Sequence, residues 1–199
     1  AIGASVGAYV SAPDTSGPRL MDRAVQGSSY GAPLPLAYGA ERLAGTLIWS
    51  TDLIETASTT SAKGGPEATT YAYSVSCAIA IAQGPQVGIR RIWADAKLVY
   101  DVRENSDAAT QAVTAAFAEY LTFYPGSEAQ LPDPTIESVE GTGNVEPYRG
   151  TCYVVFSDLP LGDYGNRIPS FSFELTTEVA ATASTESLVP YQVANWLLS

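Results

Sequence analysis

Apolar and polar residues alternate most cleanly in two stretches. From Tyr71 to Ala82, the residues Tyr71, Tyr73, Val75, Cys77, Ile79 and Ile81 fall on one side. Ala72, Ser74, Ser76, Ala78, Ala80 and Ala82 fall on the other. This is the period of two that a strand with one buried face requires. The second face is small and smooth, suited to close packing against another sheet or subunit. From Ser170 to Leu175, Phe171, Phe173 and Leu175 alternate with Ser170, Ser172 and Glu174. The preceding residues, LGDYGNRIP (161–169), are punctuated by Gly162, Gly165 and Pro169, and Asp163, Asn166 and Arg167 offer polar contacts. The pattern predicts a rigid corner that locks a last strand into a sheet, with Arg167 and Asp163 as candidates to pair across it.

The remaining elements follow from weaker periodicities. Residues 45–55 (GTLIWSTDLIE) predict a strand, dense in Ile, Leu, Thr and Trp. Residues 89–94 and 97–100 predict a hairpin about Asp95-Ala96, with a loose turn because positive φ is costly for Ala. Thr151 to Ser157 predicts another buried strand. Asp107 to Leu121 predicts an amphipathic helix, since Val113, Ala116, Phe117, Tyr120 and Leu121 recur at helical spacing, with Ser106 or Asp107 as its cap. Leu121 to Tyr124 returns to strand, and a short helix is expected over 135–140. Residues 28–39 hold two Pro and two Gly and should run extended. Arg19 to Gln26 reads as a helical turn or an edge strand. Residues 57–70, rich in Ser, Thr, Ala and Gly, read as a mobile loop without the pattern of a phosphate loop. Together these elements make a β-rich α+β chain with one helix on a face or edge and long loops.

Composition narrows the chemistry. The 199 residues suit one domain of about 150 residues with appendages. Residues 1–18 read as an arm, 19–178 as the domain, and 179–199 as a linker, arm or start of a further domain. Ten small apolar residues at the start are too few to span a bilayer. The 46% apolar fraction supports a core, and the net charge is -11. The ten basic residues are scattered, and the adjacent pair Arg90-Arg91 should point to opposite faces of a strand. That leaves no electrostatic footprint for sequence-specific nucleic-acid binding. No histidine is present, which removes Ser-His-Asp and Cys-His catalysis and His-based metal sites. Cys77 and Cys152 read as buried free thiols, against a single disulfide. Glu137 with Glu140, and Asp158 with Asp163, read as solvated or turn-capping carboxylates. Trp93 reads as a packing residue. No catalytic, cofactor or metal-ligating residue is expected.

Six segments in order carry a resemblance: 19–49, 71–85, 89–95 (IRRIWAD), 131–141 (LPDPTIESVEG), 148–161 (YRGTCYVVFSDLPL) and 163–175 (DYGNRIPSFSFEL). Together they resemble the tail-hub proteins of siphophages and gene transfer agents, also called baseplate hub or megatron proteins, similar in role to tip attachment proteins. Two features depart from the pattern: Ala96 stands where the hairpin turn would carry Gly, and residues 104–120 look like an insertion bearing the helix. The family's proteins are far longer, so the resemblance implies an N-terminal hub portion or a short relative.

The resemblance implies a domain of mainly antiparallel, barrel-like sheets in a homo-oligomer, a trimer, at the distal end of a virion's tail, assembled in the host cytoplasm. There it would close the tail tube and organise tail-tip assembly, host-cell attachment and the DNA exit channel. Its implied partners are the distal tail protein ring, the end of the tape-measure protein and other tail-tip or fibre proteins. Asp163, Tyr164, Gly165, Asn166, Arg167 and Pro169 become the fold or interface candidates. The acidic charge suggests a lumen from which DNA would be repelled. The competing reading is a receptor- or carbohydrate-binding module of the tail tip, which an exposed aromatic cluster would mark.

Overall fold

The computed structural model describes residues 15–16, 33–61 and 67–176. The two alternating stretches become the centres of two sheets. In the larger sheet, β5 (Glu67–Gln83) is flanked on one side by β9 (Thr151–Pro160) and then β8 (Leu121–Tyr124). Along its other edge run β3 (Thr46–Ser50) and β4 (Ile54–Ser61), both antiparallel to it. The short β1 (Thr15–Ser16) joins parallel at the start of β5. The smaller sheet is antiparallel, in the order β2 (Ala40–Ala44), β10 (Phe171–Thr176), β6 (Gly88–Ala94), β7 (Lys97–Asp101). Two helices complete the set among the described residues: α1 (Ala108–Ala118) and α2 (Pro134–Glu140). The fold class is therefore β-rich α+β, as the periodicity predicted. Among the described residues no helix is long and apolar enough to cross a membrane.

The sheets pack face to face, and the alternation says which side chains lie between them. Val75, Cys77, Ile79 and Ile81 of β5 and Val154 and Phe156 of β9 meet Ile92, Phe171, Phe173 and Leu175 of the smaller sheet. Phe156 and Phe171 stack across the interface at 4.7 Å, and Phe117 of α1 meets Phe156 edge-on at 5.5 Å. The chain passes between the sheets at Gly45, which separates β2 from β3. A Cβ there would lie 2.3 Å from Ile79 Cγ2 and 2.8 Å from Phe173 Cε2, so only glycine fits this crossing. Cys77 and Cys152 are free and buried, and burial pushes both thiols up to about 12.

The outer face of the larger sheet is covered by the chain itself. Ala78, Ala80, Tyr153 and Val155 point outward and are roofed by Ile136 of α2 and Val145. Ala78 and Ala80 of the small-residue face of β5 thus pack beneath a helix and loops of their own chain, whereas Ala82, past a register shift, lies in the inter-sheet core. Small residues let the roof approach the sheet closely. Asp133 caps α2 by accepting from the Ile136 amide at 3.0 Å, and Pro134 fills the first position, where a missing N–H costs nothing.

Three further expectations change. Residues 45–55 form two strands broken at 51–53, where the Thr51 amide bonds Ser76 O at 2.9 Å. Much of the predicted loop at 57–70 is strand: β4 and β5 pair continuously from Ile54↔Ser74 to Ser61↔Glu67. Its threonines favour strands, and Thr59 and Thr69 hydroxyls bond across the pair at 3.1 Å. The helix α1 is capped by Asp107, which accepts from the Thr110 amide at 2.8 Å. Within α1, however, only Phe117 is buried and Val113 is 47% exposed. The helix lies along β7, tied by Thr114 Oγ1 accepting from the Asp101 amide at 2.9 Å, and so buries a point, not a stripe. Residues 33–39 run extended beside the end of β5, with Gln83 N donating to Pro35 O at 2.8 Å. The elements read at 19–26 and 179–199, the start of 28–39, and all of the 1–18 arm except Thr15–Ser16 lie outside the described residues.

Candidate interaction surface

The corner at 161–170 is built from the backbone outward. Leu161 is fully buried; its amide donates to Tyr73 O at 2.8 Å, and its carbonyl accepts from the Tyr164 and Asn166 amides, each at 3.0 Å. Residues 162–164 make one 3-10 turn. Gly165 and Asn166 then follow at φ 64° and 56°, a left-handed pair that Gly and Asn tolerate best. Ile168 and Pro169 are buried, and Tyr164 packs half-buried against the inter-sheet core. Burial raises the Tyr164 phenol, helped by the charges of Asp163 and Asp95. Asp163 itself is exposed.

Arg167 pairs with Asp95, not with Asp163. Its two terminal nitrogens reach the Asp95 carboxylate at 2.7 and 3.3 Å. The same carboxylate accepts from the Ser170 amide at 2.9 Å, and the Asp95 amide donates to Ser170 O at 3.0 Å. The corner therefore clasps the tip of the β6–β7 hairpin. That hairpin turn is tight, not loose: Ala94 pairs with Lys97, and Asp95 and Ala96 both take positive φ, 47° and 67°. A two-residue turn of this kind needs two left-handed residues, and the clasp on Asp95 holds the less suitable Ala96 in place. Of the six predicted corner residues, Gly165 and Asn166 supply the left-handed turn, Tyr164 packs on the core, Pro169 is buried, and Arg167 reaches the hairpin.

The outer face of the smaller sheet carries a feature that the scattered charges concealed. Arg90 and Arg91 lie on the same side of β6, not on opposite sides. Glu174 pairs with Arg91 and Leu175 pairs with Ile89, so Arg90 is the extra residue of a bulge. A bulge sets two residues against one and breaks the alternation. Both guanidinium groups turn to Glu174, Arg91 in close contact and Arg90 at 3.7 Å. Arg42 of β2 donates to Ser172 Oγ at 2.8 and 3.0 Å and lies over the Trp93 ring at 3.8 Å. Arg91 flanks the same ring at 4.9 Å. At the margin, Arg103 binds Asp101 with both ends of its fork, at 2.6 and 2.9 Å. The Arg103 hydrogen bonds hold the Asp101 carboxyl below the ordinary range, against its burial.

Four of the chain's ten basic residues thus share one face. Glu174 and Asp101 are buried beneath them, while the arginine side chains are 30–43% exposed where they cover these carboxylates. Trp93, read as a packing residue, is partly buried on this outer face, packed under two guanidinium groups. Sequence reasoning missed Asp95, Glu174 and Arg42. One signal was present for the bulge: Ile89 and Ile92 are three apart in a strand otherwise of period two.

Two of the four carboxylates considered for chemistry are engaged structurally. Glu140 accepts from Trp49 Nε1 at 2.8 Å, and Asp158 accepts from Ser76 Oγ at 3.4 Å. Among the described residues no group of three His, Cys, Asp or Glu side chains is placed to hold a metal ion.

No family model matches the sequence, and no curated protein matches it. Among solved structures, the chain is similar to a chain in the virion of a native gene transfer agent (GTA) particle. The identity is 30% and the TM-score 0.54, over 88% of this chain and 36% of that one. The chain therefore spans little more than a third of the length of the chain it matches.

Proposed function

We propose that the chain is a non-enzymatic structural component of a virion, and that its place is the tail-tip hub. The observation that carries this reading is the similarity to a gene transfer agent virion chain at 30% identity over 88% of the present chain. The ordered resemblance of 163–175 and five other segments to tail-hub proteins supplies the finer position. In this reading the sandwich forms part of a trimeric ring that closes the distal end of the tail tube and shapes the DNA exit. It contacts the distal tail protein ring, the end of the tape-measure protein and other tail-tip proteins. The corner serves that role by rigidity, since the clasp of Arg167 and Ser170 on Asp95 ties the last strand to the β6–β7 hairpin.

The test is the position and symmetry of the chain in averaged images of purified tails. A closed threefold ring coaxial with the tube is the expected result. A peripheral copy off the tube axis would overturn the hub and favour the receptor-binding alternative.

A further inference from the structure

The two outer faces of the sandwich carry opposite charge. On one, the partly exposed Arg42, Arg90 and Arg91 form a positive surface with the partly buried Trp93 over the buried Glu174. On the other, the segment 126–149 that carries α2 holds Glu128, Glu137, Glu140 and Glu146, with Arg149 as its one basic residue. Glu128, Glu140 and Glu146 are exposed there. Two large apolar side chains are exposed beside them, Leu131 at 69% and Val139 at 55%. The strand alternation sets these surfaces on opposite sides: Val154 and Phe156 face the inter-sheet core, whereas Tyr153 and Val155 face the α2 roof.

We infer that the arginine–tryptophan face docks the acidic α2 roof of a second copy of this chain, head to tail. Charge complementarity selects this occupant. Setting aside the four arginines with Asp101 and Glu174 leaves six basic against nineteen acidic residues, so the rest of the chain repels its like and is attracted to this face. A tryptophan ringed by arginines is the side-chain set most enriched at energetic centres of interfaces, and Leu131 and Val139 offer it an apolar counterpart. Docking unlike faces on opposite sides of a molecule yields a ring when the rotation closes. The inference deepens the hub reading by naming the surfaces that would join its copies.

The experiment is a charge swap read by sedimentation velocity at low and high salt. Arg42→Glu with Arg90→Glu reverses one face; Glu128→Lys with Glu146→Lys reverses the other. Thermal melts confirm that each variant is folded, and the milder Arg42→Gln with Arg90→Gln replaces the first pair if it is not. Wild type should self-associate at low salt and lose at least about tenfold in affinity at high salt, because exposed charge pairs are screened. Each reversed variant alone should be monomeric, and an equal mixture of the two should associate again.

A wild type that stays monomeric at low salt would overturn the inference. Self-association that survives both reversals would overturn it equally. Duplex DNA binding that Arg42→Glu with Arg90→Glu abolishes, without copy-to-copy association, would assign the face to a nucleic acid instead. A monomer in solution beside a coaxial ring in tail images would remove this inference and leave the hub standing.

Discussion

The two outer faces of the sandwich solve the same problem in different ways. The larger sheet turns Ala78, Ala80, Tyr153 and Val155 outward, and the chain roofs them with Ile136 and Val145. The smaller sheet turns Arg42, Arg91, Trp93 and Glu174 outward, and among the described residues no helix roofs them. Apolar side chains must be covered before the chain is stable, so their cover is built into the same chain. Charged side chains over a neutralised carboxylate tolerate water, so this face can wait for assembly. On the docking proposed above, one face serves folding and the other association.

The largest effect should come from the roofed face. Ile136→Ala removes a 2% exposed side chain over Ala78 and Ala80 and should cost about 2–5 kcal/mol. In a chain of this size that lowers the Tm by on the order of 10 °C, measured by thermal melt. A loss below about 1 kcal/mol would mean that the roof is dispensable, and the contrast between the faces would fail.

Next is the margin of the charged face. Asp101 has its carboxyl lowered from 3.8 by Arg103, so its contribution is complete above about pH 4 and fades as pH falls through the lowered native value. Asp101→Asn should lower the Tm by roughly a few degrees at pH 7. It should also flatten the fall in Tm below pH 4 relative to wild type. An unchanged acid slope would show that the pair contributes nothing to folding.

A smaller change, of opposite sign, is expected at the clasped turn. Ala96 sits at φ 67°, where a Cβ is strained, so Ala96→Gly should relieve up to about 1 kcal/mol. The greater freedom of Gly in the unfolded chain opposes this gain. A rise in the urea midpoint is the expected reading. Smallest of all, Arg42 among the described residues meets Ser172 Oγ and the Trp93 ring, and Arg42→Ala should shift stability by no more than about 0.5 kcal/mol. If Arg42→Ala proves as damaging as Ile136→Ala, the face belongs to folding after all.

The inter-sheet core was legible in the sequence because it is written in period two. Tyr73, Val75, Cys77 and Ile79 and then Phe171, Phe173 and Leu175 occupy the faces that the alternation assigned. The corner at 161–169 was legible from its Gly and Pro, but its partner was not. Asp95 lies 72 residues before Arg167, and local spacing favoured Asp163. The strand at 57–61 was hidden because Ser and Thr serve loops and ribbons alike. The stripe on α1 failed because helical spacing shows which face could be buried, not whether a sheet lies beneath it.

The charged face was illegible for a different reason. It depends on a one-residue bulge at Arg90, which turns two adjacent arginines to the same side, and on β2 bringing Arg42 beside Trp93 from 51 residues away.

The measurement that tests the central contrast most directly is hydroxyl-radical footprinting of the isolated chain against the same chain in purified tails. Trp93 should be oxidised readily in isolation and protected in the assembled particle, while Phe156 and Tyr153 stay protected in both. Equal oxidation of Trp93 in the two states would contradict the account, because the face that the described residues leave uncovered would then also be left uncovered by assembly.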